Sequence, residues 1–148
     1  MNKIEFIAIT ENELPEYIFL CYNGDYDFLT NYHYKKMGVV EAVEYELSLI
    51  KEAVFEFTFY KVLYAGIKIG YVVAFGDFIF SFSVAKKYRK KEILEQWWEM
   101  MLYFFREGIK FGMLSNNIRA INFFKKRGMK ITWESEDVKE KRELLLTF

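Results

Sequence analysis

The segment spanning residues 55–84 constrains the fold of this chain most. It consists of aromatic and β-branched runs separated by two turn signals, Ala-Gly at 65–66 and Gly-Asp at 76–77. Aromatic and β-branched runs favour strands, and short breaks that contain glycine favour tight turns between antiparallel neighbours. The pattern therefore predicts a three-stranded meander in the middle of the chain.

Helix and strand patterns surround this meander. Before it, a strand pattern over residues 3–9 precedes two amphipathic helices, one before the turn at 23–25 and one over 40–53; residues 28–37 fit neither pattern clearly. After it come a helix over 92–106, a strand over 109–114, a helix over 117–127, and strands over 129–134 and 143–148 with a charged loop between them. The predicted order is β-α-α-β-β-β-α-β-α-β-β, a mixed sheet of about seven strands flanked by about four helices.

Composition limits the class of protein. The chain has 148 residues, which suits one domain over its whole length, and 53% of them are apolar, which excludes a disordered chain. The 21 basic residues equal the 21 acidic ones, so net charge gives no reason to expect a nucleic-acid partner or an acidic membrane surface. We therefore expect a single α/β (α+β) domain with one hydrophobic core.

Cysteine content and hydropathy bear on location. Cys21 is the only cysteine, so the chain forms no internal disulfide and no cysteine-based zinc site, and a reducing compartment, by default the cytoplasm, is expected. No apolar stretch is long enough to cross a bilayer, and residues 4–9 alternate apolar and polar side chains unlike a signal peptide. We expect neither a membrane partner nor a metal.

Two blocks of residues carry a resemblance to a known family. The first follows the meander and comprises Val84, Tyr88, Arg89, Lys90, Lys91, Ile93 and Leu94. The second begins the next helix and comprises Asn117, Ala120, Phe124, Lys125, Gly128 and Met129. In order and spacing, both blocks resemble the cofactor-binding half of the GNAT acyltransferase superfamily, and the predicted element order matches the GNAT fold across nearly the whole chain.

This resemblance implies an activity and a set of binding residues. It implies acetyl transfer from acetyl-CoA to a primary amine, with the 84–94 segment and Asn117 holding the cofactor. In the family, the asparagine contacts the pantetheine arm, and backbone N–H groups near Val84 would polarise the thioester carbonyl. A tyrosine that protonates the leaving thiolate is usual at position 124, where this chain has Phe124.

The first block departs from the family pattern at two positions. Family members have small residues where this chain has Glu92 and Leu94, and small residues let backbone N–H groups and the helix N-terminus approach a pyrophosphate. In compensation, five of the six residues over 86–91 are cationic and offer side-chain contacts to phosphates. The alternative is a solvated basic loop that faces Glu92 and Glu95.

The second block lacks an acid. The Phe124 side chain has no ionisable proton. General acid catalysis, which typically raises the reaction rate about 10² to 10⁴-fold, is therefore lost at this position. The alternative interpretations are structural: Asn117 as a plain helix cap and Phe124 as an ordinary core aromatic.

Candidates for a general base are scattered along the sequence. Asp77, Ser81, Ser83 and Glu56 lie on or near the meander, but none has an evident partner, and Asp77 also suits a turn. His33 is the lone histidine and lies where the family often forms its acceptor pocket. The alternative for His33 is a surface or packed histidine.

The aromatic residues add a second possible function. Seven tyrosines are candidates for an acceptor groove or a partner surface, namely Tyr22, Tyr26, Tyr32, Tyr34, Tyr60, Tyr64 and Tyr71. Because neighbours on a helix point about 100° apart, we expect one of Trp97 and Trp98 to face a partner. Two functions stay open: an N-acetyltransferase using acetyl-CoA and an amine acceptor, or a non-catalytic binding or assembly module with a protein partner. A homo-oligomer is left open as well.

Overall fold

A mixed sheet forms the centre of the computed structural model, which describes residues 2–30, 32, 35–136 and 143–148. In this described part the strands are β1 (Ile4–Ile9), β2 (Thr58–Tyr64), β3 (Ile67–Phe75), β4 (Phe78–Val84), β5 (Lys110–Leu114), β6 (Lys130–Glu134) and β7 (Glu143–Thr147). The helices are α1 (Leu14–Tyr22), α2 (Tyr26–Thr30), α3 (Val39–Glu52), α4 (Lys91–Phe104) and α5 (Ile118–Lys125). The predicted order is confirmed, with one helix more than expected.

The additional helix is α2, in the segment whose sequence pattern was ambiguous. Asp25 starts it: its backbone carbonyl accepts a hydrogen bond from Leu29 N at 3.0 Å, and its Oδ1 accepts one from Phe28 N at 3.4 Å. An aspartate in this position satisfies N–H groups that have no partner within the helix. The Asn-Gly-Asp turn signal at 23–25 was thus also a helix start.

The strand order in the sheet is β1-β2-β3-β4-β5-β7-β6. The predicted meander is present, since β2, β3 and β4 pair antiparallel with their chain neighbours. The pairing of β4 with β5 is parallel, and the remaining pairs are antiparallel. The parallel step requires a crossover, and α4 provides it.

Helices cover both faces of the sheet. The first three helices pack on one face against Tyr71 and Val73 of β3, and they bury Leu14, Ile18 and Ala42 there. On the other face, α4 and α5 bury an aromatic-rich core. Within the described residues, no helix is both long and apolar enough to cross a membrane.

Both central tryptophans lie in the core, so the expectation that one faces a partner is wrong. Trp97 and Trp98 are 3% and 7% exposed. Although their side chains diverge, Trp98 is covered by Phe111, Phe124 and Phe148, with ring centroids 6.3, 5.7 and 6.0 Å away. The divergence is accommodated because rings from β5, α5 and the C-terminal residue cover Trp98.

The close approach of β3 and β4 at Gly70 gives a first prediction. A Cβ at this position would collide with the carbonyl oxygen of Ser83 and lie 3.3 Å from the Cα of Val84. We expect Gly70→Ala to lower the free energy of unfolding by about 1–3 kcal/mol, because the backbone of one strand must move. Urea denaturation followed by circular dichroism measures this. The control is Gly38→Ala, whose added Cβ meets nothing within 4 Å; equal losses in both variants would contradict the prediction.

Candidate functional site

The site lies where β4 and β5 separate. The two strands pair only at Phe78 with Lys110 and Ile79 with Phe111. Beyond these pairs β4 continues for five residues along β3, while β5 continues along β7. A wedge therefore opens between the strands toward the end of β4, and α4 and α5 both begin beside it.

Backbone groups of β4 face this wedge. The N–H of Ala85 donates to the carbonyl of Ile69 at 2.7 Å, so this residue directs its backbone toward β3. Because successive residues of a strand direct their N–H groups to opposite sides, the N–H of Val84 points toward the wedge. The family resemblance predicts that a thioester carbonyl meets an N–H group here, and this stays a prediction.

A narrow cavity of about 120 Å³ lies on the α4–α5 side of the wedge. It brings together predicted site residues that are far apart in the sequence, namely Ser83, Val84, Arg89, Leu94, Asn117 and Phe124. Phe82, Trp97 and Phe123 also line it, and these rings, with Leu94, leave the cavity narrow.

The other residues of the first block lie outside this cavity. Ile93 is buried in the core, and Tyr88 packs against the core under the ammonium of Lys87, 5.2 Å from the ring centroid. Lys90 and Lys91 are exposed at the start of α4. Among the residues that the structure describes, neither they nor Lys87 form an ion pair.

Arg89 is committed to contacts within the protein. Its Nη2 lies 2.9 Å from Oδ2 of Asp25, and its Nε donates to the carbonyl of Val84 at 2.8 Å. The Asp25 side chain is 1% exposed and that of Arg89 16% exposed, so the ion pair is largely withdrawn from water. The pair connects the start of α2 to the end of β4. The remaining buried guanidinium nitrogen of Arg89, Nη1, has no hydrogen-bond partner.

Asn117 and Phe124 differ in the contacts that their side chains make within the protein. Phe124 is buried and stacks on Phe111, with ring centroids 4.1 Å apart, so it has the contacts of a core aromatic. Asn117 occupies the N-cap position of α5, but its side chain makes no capping hydrogen bond. The Asn117 side chain lines both the narrow cavity and a larger one.

The larger cavity, of about 1060 Å³, lies on the α3 side of the wedge. The two cavities share Tyr22, Phe28, Phe82, Asn117 and Arg119, so they meet at the end of β4. Glu46 of α3 lines the larger cavity and is only 7% exposed. A buried carboxylate in the wall of the larger cavity is the most distinctive chemical feature of the site.

A hydrogen-bonded cluster holds Glu46. The hydroxyl of Tyr32 donates to its Oε1. Beside it, the hydroxyls of Tyr22 and Tyr71 lie 3.2 Å apart, and that of Tyr71 lies 3.0 Å from Oγ of Ser81. The tyrosines come from α1, β3 and the segment after α2, so the cluster fixes the helices of this face to the sheet.

A β-bulge in β4 directs side chains into this cluster. Val73 pairs with Ser81, but the next residue, Ala74, pairs with Ile79, so Phe80 is an extra residue on β4. Both Phe80 and Ser81 therefore line the larger cavity, and Phe82, which packs against the opposite core, borders both cavities. Bulges redirect side chains in this way beside functional sites.

Burial controls the ionisation of this cluster. It raises the pKa of Glu46 above its ordinary value of 4.5, and hydrogen bonds from Tyr32, Ser81 and Tyr22 partly oppose that shift. Burial also raises the pKa of the Tyr22, Tyr32 and Tyr71 hydroxyls, with the Glu46 charge adding to it. Glu46 is therefore a weaker acid than a free carboxyl group, and the tyrosines stay protonated donors.

The remaining candidates are placed less favourably. Asp77 is in the turn before β4, about 23 Å of strand away from Val84. Glu56 is exposed before β2, and His33 and Tyr34 lie outside the described residues. Burial raises the pKa of the Cys21 thiol to about 12, which argues against a thiolate nucleophile. In the described ranges no group of acidic, histidine or cysteine side chains is arranged to hold a metal.

Glu46 is the residue that the sequence analysis missed. Its signal was present: it occupies the buried stripe of α3 with Val43 and Ile50, where an apolar residue is expected. Of the seven tyrosines considered, Tyr22 and Tyr32 line the larger cavity and Tyr71 lies behind them, while Tyr60 and Tyr64 pack in the opposite core and Tyr26 is exposed.

Comparisons with known proteins bear on the fold. No protein-family model and no curated protein sequence matches the chain. Solved structures do match. YjaB from Escherichia coli, in its apo form, superimposes with a TM-score of 0.69 at 18% identity, over 98% of this chain and 97% of that one. Naa50 from Arabidopsis thaliana, in complex with the bisubstrate analogue CoA-Ac-MVNAL, gives a TM-score of 0.60 at 16% identity, over 99% of this chain and 98% of that one.

A third match carries the cofactor. YncA, a putative acetyltransferase from Salmonella typhimurium with its cofactor acetyl-CoA, gives a TM-score of 0.57 at 11% identity, over 99% of this chain and 94% of that one. These identities are too low to transfer a substrate, but the agreement extends over essentially the full length of every chain. Together with the sheet order and the separation of β4 from β5, it shows that this chain has the GNAT acyltransferase fold.

Proposed function

We propose that the protein is an N-acyltransferase that moves an acetyl group from acetyl-CoA to a primary amine. The observation that carries this proposal is the meeting of two cavities at the end of β4, with a backbone N–H directed into the wedge and a buried carboxylate on the far side. A thioester and an amine held there would be brought together, and positioning alone can supply roughly 7–11 kcal/mol of the barrier.

On the cofactor side, the proposal assigns three kinds of contact. The first-turn N–H groups of α4 and the unpaired ammonium groups of Lys87, Lys90 and Lys91 would hold the phosphates. Asn117 would contact the pantetheine arm, because its side chain lines the cavity and does not cap α5. The N–H of Val84 would polarise the thioester carbonyl.

On the acceptor side, Glu46 is the general base. It takes one proton from the ammonium, and the neutral nitrogen then bonds to the thioester carbon. As the carbon–sulfur bond breaks, the nitrogen loses its second proton to water and the departing sulfur takes a proton from water, because Phe124 has none to give, so that the products are an amide and coenzyme A. Arg89 has a structural part in this scheme, since Asp25 and the Val84 carbonyl occupy its guanidinium.

Isothermal titration calorimetry with acetyl-CoA, and in parallel with free coenzyme A, tests the proposal. Saturable binding in the micromolar range is the expected result and would justify a screen of amine acceptors. No heat at millimolar ligand would overturn the proposal. It would favour the second candidate, a non-catalytic module, which has one observation behind it: Leu94 and the surrounding rings reduce the cofactor-side cavity to about 120 Å³.

A variant of Leu94 gives a second prediction. Its side chain stands where the family has a small residue and lines the narrow cavity. We expect Leu94→Ala to tighten acetyl-CoA binding by up to about tenfold, because the pantetheine arm gains room. Titration calorimetry measures the change. The control is Leu102→Ala, on the same helix and equally part-buried against the same core but outside the cavity; an unchanged or weaker affinity in Leu94→Ala contradicts the prediction.

A further inference from the structure

The larger cavity has an aromatic wall that Glu46 does not explain. Phe28 of α2, Tyr45 of α3, Phe78 and Phe80 of β4 and Trp133 of β6 all line it. Trp133 is 52% exposed although it is a large ring on a strand. Rings converging from four elements on one cavity offer faces to an aromatic or aliphatic ligand.

One position of β5 beside this wall carries no side chain. A Cβ at Gly112 of β5 would lie 3.0 Å from Cε1 of Phe78. Any larger residue would have to displace the Phe78 ring or fill the cavity beside it. The glycine therefore lets the phenylalanine ring form part of the cavity surface.

Charge is distributed unevenly along the cavity. Of the described residues that line it, Asp27, Glu46, Glu136 and Glu143 are acidic and Arg119 alone is basic. Arg119 lies at the junction with the narrow cavity, and its Nη2 is 3.9 Å from Oδ2 of Asp25. Glu46 is the buried one of these carboxylates, so the part of the cavity around Glu46 favours a cation over an anion.

We propose that the acceptor is an arylalkylamine: a primary amine on a short chain that ends in an aromatic ring, with no carboxylate beside the nitrogen. This inference rests on the function proposed above. The ammonium would meet Glu46, and the ring would lie against Phe80, Phe78 and Trp133. An amino acid would place its carboxylate beside that of Glu46, and a polyamine would leave the aromatic wall without a partner.

Three amines separate these classes. 2-Phenylethylamine has the ring and the amine, L-phenylalanine adds only a carboxylate, and 1,4-diaminobutane lacks the ring. Each is titrated into the full chain, with and without acetyl-CoA, and each is assayed for acetylation. We expect 2-phenylethylamine to bind at least about tenfold more tightly than either of the others and to be acetylated with at least that advantage in kcat/KM. Equal or tighter binding of L-phenylalanine or 1,4-diaminobutane overturns the inference.

A matched pair of variants locates the binding. Trp133→Ala removes a half-exposed ring from the cavity, whereas Phe75→Ala removes a comparably exposed ring, 46% against 52%, that stacks on Phe55 outside it. We expect Trp133→Ala to weaken 2-phenylethylamine binding by roughly tenfold and Phe75→Ala to leave it unchanged, with acetyl-CoA affinity preserved in both. The same loss in both variants, or in neither, overturns the assignment.

The binding and transfer measurements test the two proposals separately. Binding of 2-phenylethylamine without acetyl transfer supports the aromatic cavity and overturns the proposed enzyme. Acetylation of 1,4-diaminobutane in preference to 2-phenylethylamine overturns the acceptor class and leaves the enzyme standing.

Discussion

Replacing Glu46 with glutamine is expected to lower kcat/KM for acetyl transfer by about 10² to 10⁴-fold, the usual contribution of a general base. Glutamine keeps the size of the side chain and an oxygen that can accept the Tyr32 hydrogen bond. It removes the proton acceptor and the negative charge but keeps the volume, so the buried cluster stays packed. Steady-state acetylation of 2-phenylethylamine measures the loss, and acetyl-CoA affinity is expected to be unchanged.

The pH profile distinguishes a base from a structural carboxylate. A base must be ionised, so kcat/KM of the native protein rises with pH as Glu46 loses its proton. Because burial raises the pKa of Glu46, that rise lies above the ordinary value of 4.5. In Glu46→Gln the rise attributed to Glu46 disappears.

A control on the same helix completes this experiment. Glu44→Gln makes the same chemical change at an exposed position of α3. We expect it to retain native kcat/KM and the native pH profile. If Glu46→Gln retains them too, Glu46 is not the base, and Glu46 serves only to join Tyr32 to α3.

The outline of the fold was available from the sequence because it depends on local signals. The meander over β2 to β4 follows from β-branched and aromatic runs and two short turns, and the helices follow from spacing. The cofactor-side residues followed from the family resemblance: Val84, Leu94 and Asn117 do line one cavity. What these residues bind stays a prediction.

The rest depended on contacts between distant parts of the chain. Asp25 and Arg89 are 64 positions apart, and nothing in either local pattern indicates that they pair. Arg89 appeared as one of five cations available to phosphates, and only the tertiary structure shows that a buried carboxylate already engages it. The helical spacing of α3 could have indicated that Glu46 is buried, but its partners Tyr32 and Ser81 come from other elements and are visible only in the tertiary structure.

The Asp25–Arg89 pair gives the second large effect. We expect Arg89→Ala to lower the free energy of unfolding by up to about 3–5 kcal/mol, because it leaves the buried Asp25 carboxylate with only the longer contact to the half-exposed Arg119, 3.9 Å away. Asp25→Ala is expected to cost at least as much, since it also removes the Oδ1 bond to the N–H of Phe28 at the start of α2. Urea denaturation of both single variants and the double variant measures the coupling, and the double variant should lose less than the sum.

An exposed ion pair nearby serves as the control for this loss of stability. Lys86 and Asp27 lie 3.4 Å apart with side chains 52% and 87% exposed, and Lys86→Ala is expected to change stability by less than about 1 kcal/mol. If Arg89→Ala also has so small an effect and instead abolishes acetyl-CoA binding, then Arg89 is a ligand for the cofactor and the pair with Asp25 gives way when acetyl-CoA binds. If stability falls as expected, weakened acetyl-CoA binding in Arg89→Ala reflects a displaced α2 and β4, and the phosphates depend on the helix start and the three unpaired lysines.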